Sequence, residues 1–124
     1  MLAALLWDVD GTLVESEEAH RAAFNQAFRE AGLPWHWDTA TYGRLLRIAG
    51  GRERITHFVR SLPPKERPEV APDVFAARLH ALKTEYFTAM LASGHVPLRP
   101  GVARLLREAR AHGLRQAIVT TTSL

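Results

Sequence analysis

The sequence has 124 residues, no cysteine and 47% hydrophobic residues, which is typical of a globular protein. The lack of cysteine excludes disulfide bonds and thiolate metal sites. The longest apolar run, around residues 1–7, is too short to cross a membrane and has no signal-peptide pattern. The 16 basic residues are interspersed with 13 acidic ones, and the net charge is only +3. We therefore expect a cytoplasmic protein with a solvated surface and neither a nucleic-acid nor a membrane partner.

The first predicted element is a buried strand over residues 3–9, which leads into Asp8-Val9-Asp10-Gly11-Thr12. Because alternate side chains of a strand share a face, Asp8 and Asp10 should point the same way where the strand ends. Two carboxylates that close repel each other unless a cation or a shared proton lies between them. An ordinary Asp-Gly turn after a hydrophobic strand is the alternative interpretation.

Four helices are predicted in the middle of the chain. Ser16 is placed to cap the first helix, and Asp38 or Thr39 is placed to cap the second. Glycine or proline ends the first three helices, and four prolines mark the connector before the fourth. The fourth helix carries an apolar series at Phe75, Leu79, Leu82, Tyr86 and Met90. The approximate bounds of the four helices are 16–31, 38–48, 52–61 and 73–92.

The pattern changes after Gly94. A loop starts a fifth helix near Val102, Gly113 closes it, and a second short buried strand is predicted over residues 116–120. A strand, a helix and a second strand, with a helical segment inserted after the first strand, indicate an α/β protein built on a βαβ unit.

Two segments resemble motifs of one protein family. Asp8 to Thr12 resembles the nucleophile motif D-x-D-G-[TV] of the haloacid dehalogenase superfamily, and Arg-Pro-Gly-Val…Ala-Ile-Val-Thr-Thr-Thr, from Arg99 to Thr122, is similar to the entry to its core helix and its second motif. The resemblance extends over essentially the whole chain. It is strongest to the beta-phosphoglucomutase and phosphoglycolate phosphatase subgroup, and within it to the sugar-bisphosphate (xylulose-bisphosphate) phosphatases.

This resemblance implies the N-terminal part of a Rossmann-like core with parallel strands and an inserted all-helical cap. It assigns residues 1–14 and 95–124 to the catalytic core and residues 15–94 to the cap. It also implies a Mg²⁺-dependent phosphatase that acts on a small phosphorylated sugar through an aspartyl-phosphate intermediate.

The resemblance also implies roles for individual residues. Asp8 is expected to be the nucleophile and Asp10 the general acid and base, and both are expected to bind Mg²⁺. Thr120 and Thr121 are expected to bind the transferring phosphate. The substrate-binding residues expected in the cap are Glu17, His20, Tyr42, Gly51 and Arg52.

Each cap residue also has an ordinary structural interpretation. His20 could be a satisfied core or surface histidine, and the Gly50–Arg54 segment could be a helix-breaking loop with exposed arginines. Lys83, a weaker candidate for the site, could be a solvated position on its helix.

The chain departs from the family in one respect. The sequence contains neither the lysine motif nor the second acidic motif that the family places beyond its second strand. We therefore expect the 124-residue chain to be inactive as it stands, and to self-associate through an exposed edge of its core strands. The alternative functions are a sugar phosphomutase of the same superfamily, or a catalytically silent fragment or interaction protein.

Overall fold

The computed structural model describes residues 3–8, 16–94 and 98–119. In chain order its elements are β1 (Ala4–Trp7), α1 (Glu17–Glu30), α2 (Thr39–Leu45), α3 (Gly51–Ser61), a 3-10 turn (Pro64–Glu66), α4 (Pro72–Ala92), α5 (Val102–Ala111) and β2 (Arg115–Ile118). This combination of parallel strands and helices confirms the predicted α/β class. None of the helices in these ranges is both long and apolar enough to span a membrane.

The chain divides into two compact units. One comprises Met1–Ala19 with Met90–Leu124, and the other comprises His20–Ala89. The assignment of residues 1–14 and 95–124 to a catalytic core, and of 15–94 to a cap, stays a prediction.

The first unit contains a two-stranded parallel sheet. β1 pairs with β2 so that Ala4 lies opposite Arg115 and Trp7 lies opposite Ile118. Both strands are shorter than predicted, because β1 ends at Trp7 and β2 is strand only over Arg115–Ile118. Asp8 therefore follows its strand and does not form part of it. The prediction that the two strands are buried is wrong: β1 alternates between exposed and half-buried residues, and β2 is exposed throughout.

The second unit is built on an aromatic core. Trp37 is fully buried, and its ring lies with its centroid 4.9 Å from the ring of Phe24 and 4.9 Å from the ring of Phe28. Tyr42, Leu45, Ile55, Val59, Ala76 and Leu79 complete the buried cluster. The faces of α1, α2, α3 and α4 that carry these side chains form one core.

Side-chain hydrogen bonds hold the loop between α1 and α2. The Asn25 amide accepts a bond from the Trp37 backbone N–H at 2.8 Å and donates one to the Trp37 carbonyl at 2.9 Å. Arg21 donates a second bond to that carbonyl at 3.1 Å. Asp38 caps α2, as predicted, by accepting a 2.7 Å bond from the Thr41 N–H. That backbone bond, followed by the bond to the Thr41 side chain, lowers the pKa of Asp38 below its usual value.

Two predictions about the helices are wrong. α2 ends at Leu45 and not near Ile48, because the Arg47 and Ile48 amides bond carbonyls only three residues back, which tightens the chain into turns. The buried residues of α4 are Ala76, Leu79, Lys83 and Phe87; of the predicted apolar series, Leu79 is buried, Phe75 packs against the core cluster, and Leu82, Tyr86 and Met90 are only half-buried. Lys83 occupies this face because its ammonium has partners inside the unit, as described below.

Candidate functional site

Asp8 lies at the carboxyl end of β1 and is exposed. β2 ends at the same edge, where the Val119 N–H donates a 2.7 Å bond to the Trp7 carbonyl. Asp8 therefore lies at the same end of the sheet as Val119, the residue that precedes Thr120 in the sequence. Asp10, Thr120 and Thr121 are outside the described residues. Active sites of α/β proteins commonly form at the carboxyl ends of parallel strands, and Asp8 has that position.

The predicted metal site is defined by the donor chemistry of two carboxylates. Within the three described ranges, no group of three or more His, Asp or Glu side chains is arranged to hold a metal ion. The Asp8 carboxylate is a hard oxygen donor of the kind that Mg²⁺ prefers, and Asp10 would supply a second. Mg²⁺ binding by this pair stays a prediction.

His20 and Lys83 form a buried polar pair in the second unit. Their exposed fractions are 9% and 6%, and Lys83 Nζ lies 2.8 Å from His20 Nδ1. The interpretation of Lys83 as a solvated residue is therefore wrong. When Lys83 is charged, its ammonium has only N–H donors, so His20 Nδ1 accepts the bond and the ring proton is on Nε2. In that state the bond sets the tautomer of His20.

Aromatic rings surround this pair. The His20 ring stacks on Phe87 with centroids 3.9 Å apart. Lys83 Nζ lies 4.8 Å from the centroid of Phe24 and 4.8 Å from that of Phe87. A cation over an aromatic face is attracted by the ring quadrupole, which offsets part of the cost of removing the ammonium from water. The contacts explain why a lysine can occupy a buried position on α4.

The N-terminus of α3 is a second polar feature of this unit. Gly50 precedes the helix with φ +91°, a conformation that residues with a Cβ rarely adopt. At Gly51 a Cβ would lie 2.7 Å from His80 Cδ2 and 3.1 Å from Phe24 Cζ. The family resemblance assigns Gly51 to substrate binding. At Gly51, the groups that the structure brings against the backbone are His80 and Phe24.

The other predicted cap residues have different surroundings. Arg52 is exposed in the first turn of α3. Tyr42 is buried, with its ring centroid 6.0 Å from that of Phe24 and 6.2 Å from that of Trp37. Glu17 opens α1 one turn before His20, so the two residues share a side of that helix.

Phe24 links the two polar features, because it contacts both Lys83 and the start of α3. The sequence pattern predicts no functional role for His80 and makes Lys83 only a weaker candidate. One signal was available: His80, Lys83 and Phe87 recur at steps of three and four along α4, which places them on one face.

Comparisons with known proteins identify the family. The model of the haloacid dehalogenase-like hydrolases matches residues 2–124. The chain belongs to this family. The protein CbbY of Cupriavidus necator is 48% identical over 122 residues, which cover 98% of this chain and 48% of that protein. The protein CbbY of Cereibacter sphaeroides is 48% identical over 124 residues, which cover 100% of this chain and 52% of that protein.

One solved structure is similar to this chain in both sequence and fold. It is CbbY from Rhodobacter sphaeroides in complex with xylulose-(1,5)bisphosphate, with a TM-score of 0.87 and 47% identity, covering 100% of this chain and 53% of that one. The chain thus spans about half the length of the CbbY proteins it matches. The predicted family and fold class are confirmed, and the roles of the site residues stay predictions.

Proposed function

We propose that this chain supplies the nucleophile and the substrate-binding cap of a Mg²⁺-dependent phosphatase acting on a small phosphorylated sugar. The observation that carries the proposal is the likeness, at 47% identity and a TM-score of 0.87, to a CbbY structure that contains a sugar bisphosphate. The position of Asp8, exposed at the carboxyl end of a parallel strand, supports it independently.

In the proposed reaction, an Asp8 carboxylate oxygen attacks the phosphorus of the substrate and forms an aspartyl-phosphate. The bond to the sugar oxygen breaks, and Asp10 donates a proton to that oxygen. Asp10 then takes a proton from the water that attacks the phosphorus, which releases inorganic phosphate and restores the Asp8 carboxylate. Thr120 and Thr121 bind the phosphate oxygens during both steps. Mg²⁺ held by Asp8 and Asp10 would neutralise negative charge on the phosphate.

The helical unit is proposed to bind the rest of the substrate. With Nδ1 bonded to the Lys83 ammonium, the His20 ring would carry its proton on Nε2 and donate it in a hydrogen bond to a sugar or phosphate oxygen. Exposed Arg52 at the start of α3 is suited to a second phosphate, because a guanidinium can bind it in a bidentate way. Glu17, Tyr42 and Gly51 complete the proposed set. Residues 15–94 form the cap and residues 1–14 with 95–124 form the core in this assignment.

The activity test uses the chain fused to the C-terminal half of a CbbY relative, because the chain matches only about half of those proteins. Phosphate release is measured with xylulose 1,5-bisphosphate and with an aryl phosphate, with and without Mg²⁺. Asp8→Asn should abolish release from both substrates because the nucleophile is lost. Asp10→Asn should impair the sugar phosphate more than the aryl phosphate, since a good leaving group needs less protonation.

Arg52→Ala tests the specificity of the cap. It should raise KM for the bisphosphate and leave the aryl phosphate nearly unchanged. Arg60→Ala, which removes another exposed arginine of α3, is the matched control. Magnesium-independent release, or release that survives Asp8→Asn, would refute the proposed mechanism. An equal loss on both substrates in Arg52→Ala would refute the role of Arg52.

A further inference from the structure

The His80 side chain packs against the first turn of α3. A Cβ at Gly51 would lie 2.7 Å from His80 Cδ2 and 2.8 Å from His80 Nε2, so the ring occupies the space that any side chain at position 51 would need. Phe24 closes the other side of this space, with Cζ at 3.1 Å. The first residue of α3 therefore packs between the His80 ring of α4 and the Phe24 ring of α1.

The charges around His80 favour its neutral form. Burial is the main cause that lowers the pKa of His80 below the usual histidine value, and the Lys83 ammonium one turn along α4 lowers it further. From α3, Arg52 and Arg54 also lower the pKa, and Glu53 opposes them by raising it. On α1 the neighbouring group is the uncharged ring of Phe24, and His20 bonds Lys83.

The backbone of α3 adds to this electrostatic preference. The first amides of a helix carry a partial positive charge, and α3 presents them beside the His80 ring. A protonated imidazole would place a full positive charge beside these amides; Lys83, Arg52 and Arg54 would repel it, and only Glu53 among these groups would attract it. The packing of Gly51 on the ring is therefore compatible with a neutral His80 and is opposed by a charged one.

We propose that His80 is a positioning residue for the Gly50–Gly51–Arg52 segment, which rests on the neutral ring and moves away from it when the ring is protonated. The structural part of this inference stands on the packing of His80, Gly51 and Phe24. Its consequence for catalysis rests on the proposed function, because that function assigns substrate binding to Gly51 and Arg52. Protonation of His80 would then weaken binding of the second phosphate at Arg52.

The first experiment is an NMR titration of the 124-residue chain between about pH 8 and pH 5, the range in which histidine titrates. The His80 ring and the Gly50, Gly51 and Arg52 amides are followed together. The amides should shift with the same midpoint as the ring, below the usual histidine midpoint. Glu53→Gln should lower that midpoint, and Lys83→Met should raise it. His80→Gln should abolish the amide shifts, and His57→Gln, which removes an exposed histidine of α3, should leave them unchanged.

The second experiment separates packing from charge. Gly51→Ala should destabilise the chain in urea unfolding, and the loss should be smaller in a His80→Ala background because the ring that meets the new Cβ is gone. Amide shifts that persist in His80→Gln would overturn the proposal. An equal loss from Gly51→Ala in both backgrounds would also overturn it.

The third experiment isolates the catalytic consequence. In the fused enzyme, KM for the bisphosphate should rise as pH falls through the His80 midpoint, and this rise should be clearly smaller in His80→Gln, where only protonation of the substrate phosphates remains. If the amides follow His80 but KM does not, His80 positions the segment and the proposed substrate site at Arg52 is wrong. If the amides do not follow His80, the positioning role itself is refuted.

Discussion

The hydrogen bonds between Asn25 and the Trp37 backbone should be a major source of stability in the helical unit. Asn25→Ala removes the acceptor of the buried Trp37 N–H and one of the two donors to the Trp37 carbonyl. A buried donor left without an acceptor costs about 1–3 kcal/mol, and the second lost bond adds about 0.5–1.5 kcal/mol because Arg21 still satisfies that carbonyl. The expected loss in the free energy of unfolding is therefore about 1.5–4.5 kcal/mol.

Urea unfolding followed by tryptophan fluorescence measures this loss, since Trp37 is fully buried in the same unit. The midpoint should fall with little change in the slope m, because the surface exposed on unfolding is nearly the same. Gln26→Ala is the matched control: its amide, on the next position of α1, bonds only Arg29 at the surface among the contacts described for it. It should change stability by less than about 0.5 kcal/mol. A loss of similar size in both variants would refute the reasoning.

Three further predictions concern the polar pair, the α2 cap and the strands. Lys83→Met should remove the tautomer preference of His20, seen as convergence of its two ring ¹⁵N shifts, while circular dichroism keeps the helix signal. The pKa of Asp38 is lowered, so the stability that its carboxylate contributes is fully present above the carboxyl pKa of the unfolded chain and is lost as pH falls through the pKa of the folded protein. Asp38→Asn should still cap α2 but should lose this acid dependence in thermal melts. Leu6, in β1, is 73% exposed, and Leu6→Lys should reduce self-association in analytical ultracentrifugation. The control variant Val74→Lys, at an exposed position of α4, should not reduce self-association. Equal association of the unmodified chain and both variants would contradict the strand-edge prediction.

Most secondary structure could be predicted because its signals are local. Helical spacing, the Asp38 cap and the turn glycines Gly32 and Gly113 locate the helices to within a few residues. The errors have local causes too. The end of α2 depends on whether successive amides bond three or four residues back, and no residue type in that segment decides between them.

The candidate site also has one part that local sequence determines and another part that depends on tertiary packing. The sequence by itself determined the Asp8–Asp10 motif and placed it at the end of the first strand, because its residues are consecutive in the chain, and Asp8 does follow β1. It also determined membership of the family, whose model matches residues 2–124. These features need no information about which helices pack together.

Only the tertiary structure decided which distant side chains meet. His20 and Lys83 are 63 residues apart, and their 2.8 Å bond exists because α1 and α4 bury facing sides in one core. The same packing brings His80 against Gly51 and buries a lysine that hydropathy alone places in water. A sequence pattern predicts which face of a helix is apolar. It does not predict which polar residue becomes buried on that face, because burial of a charge depends on partners that another helix supplies.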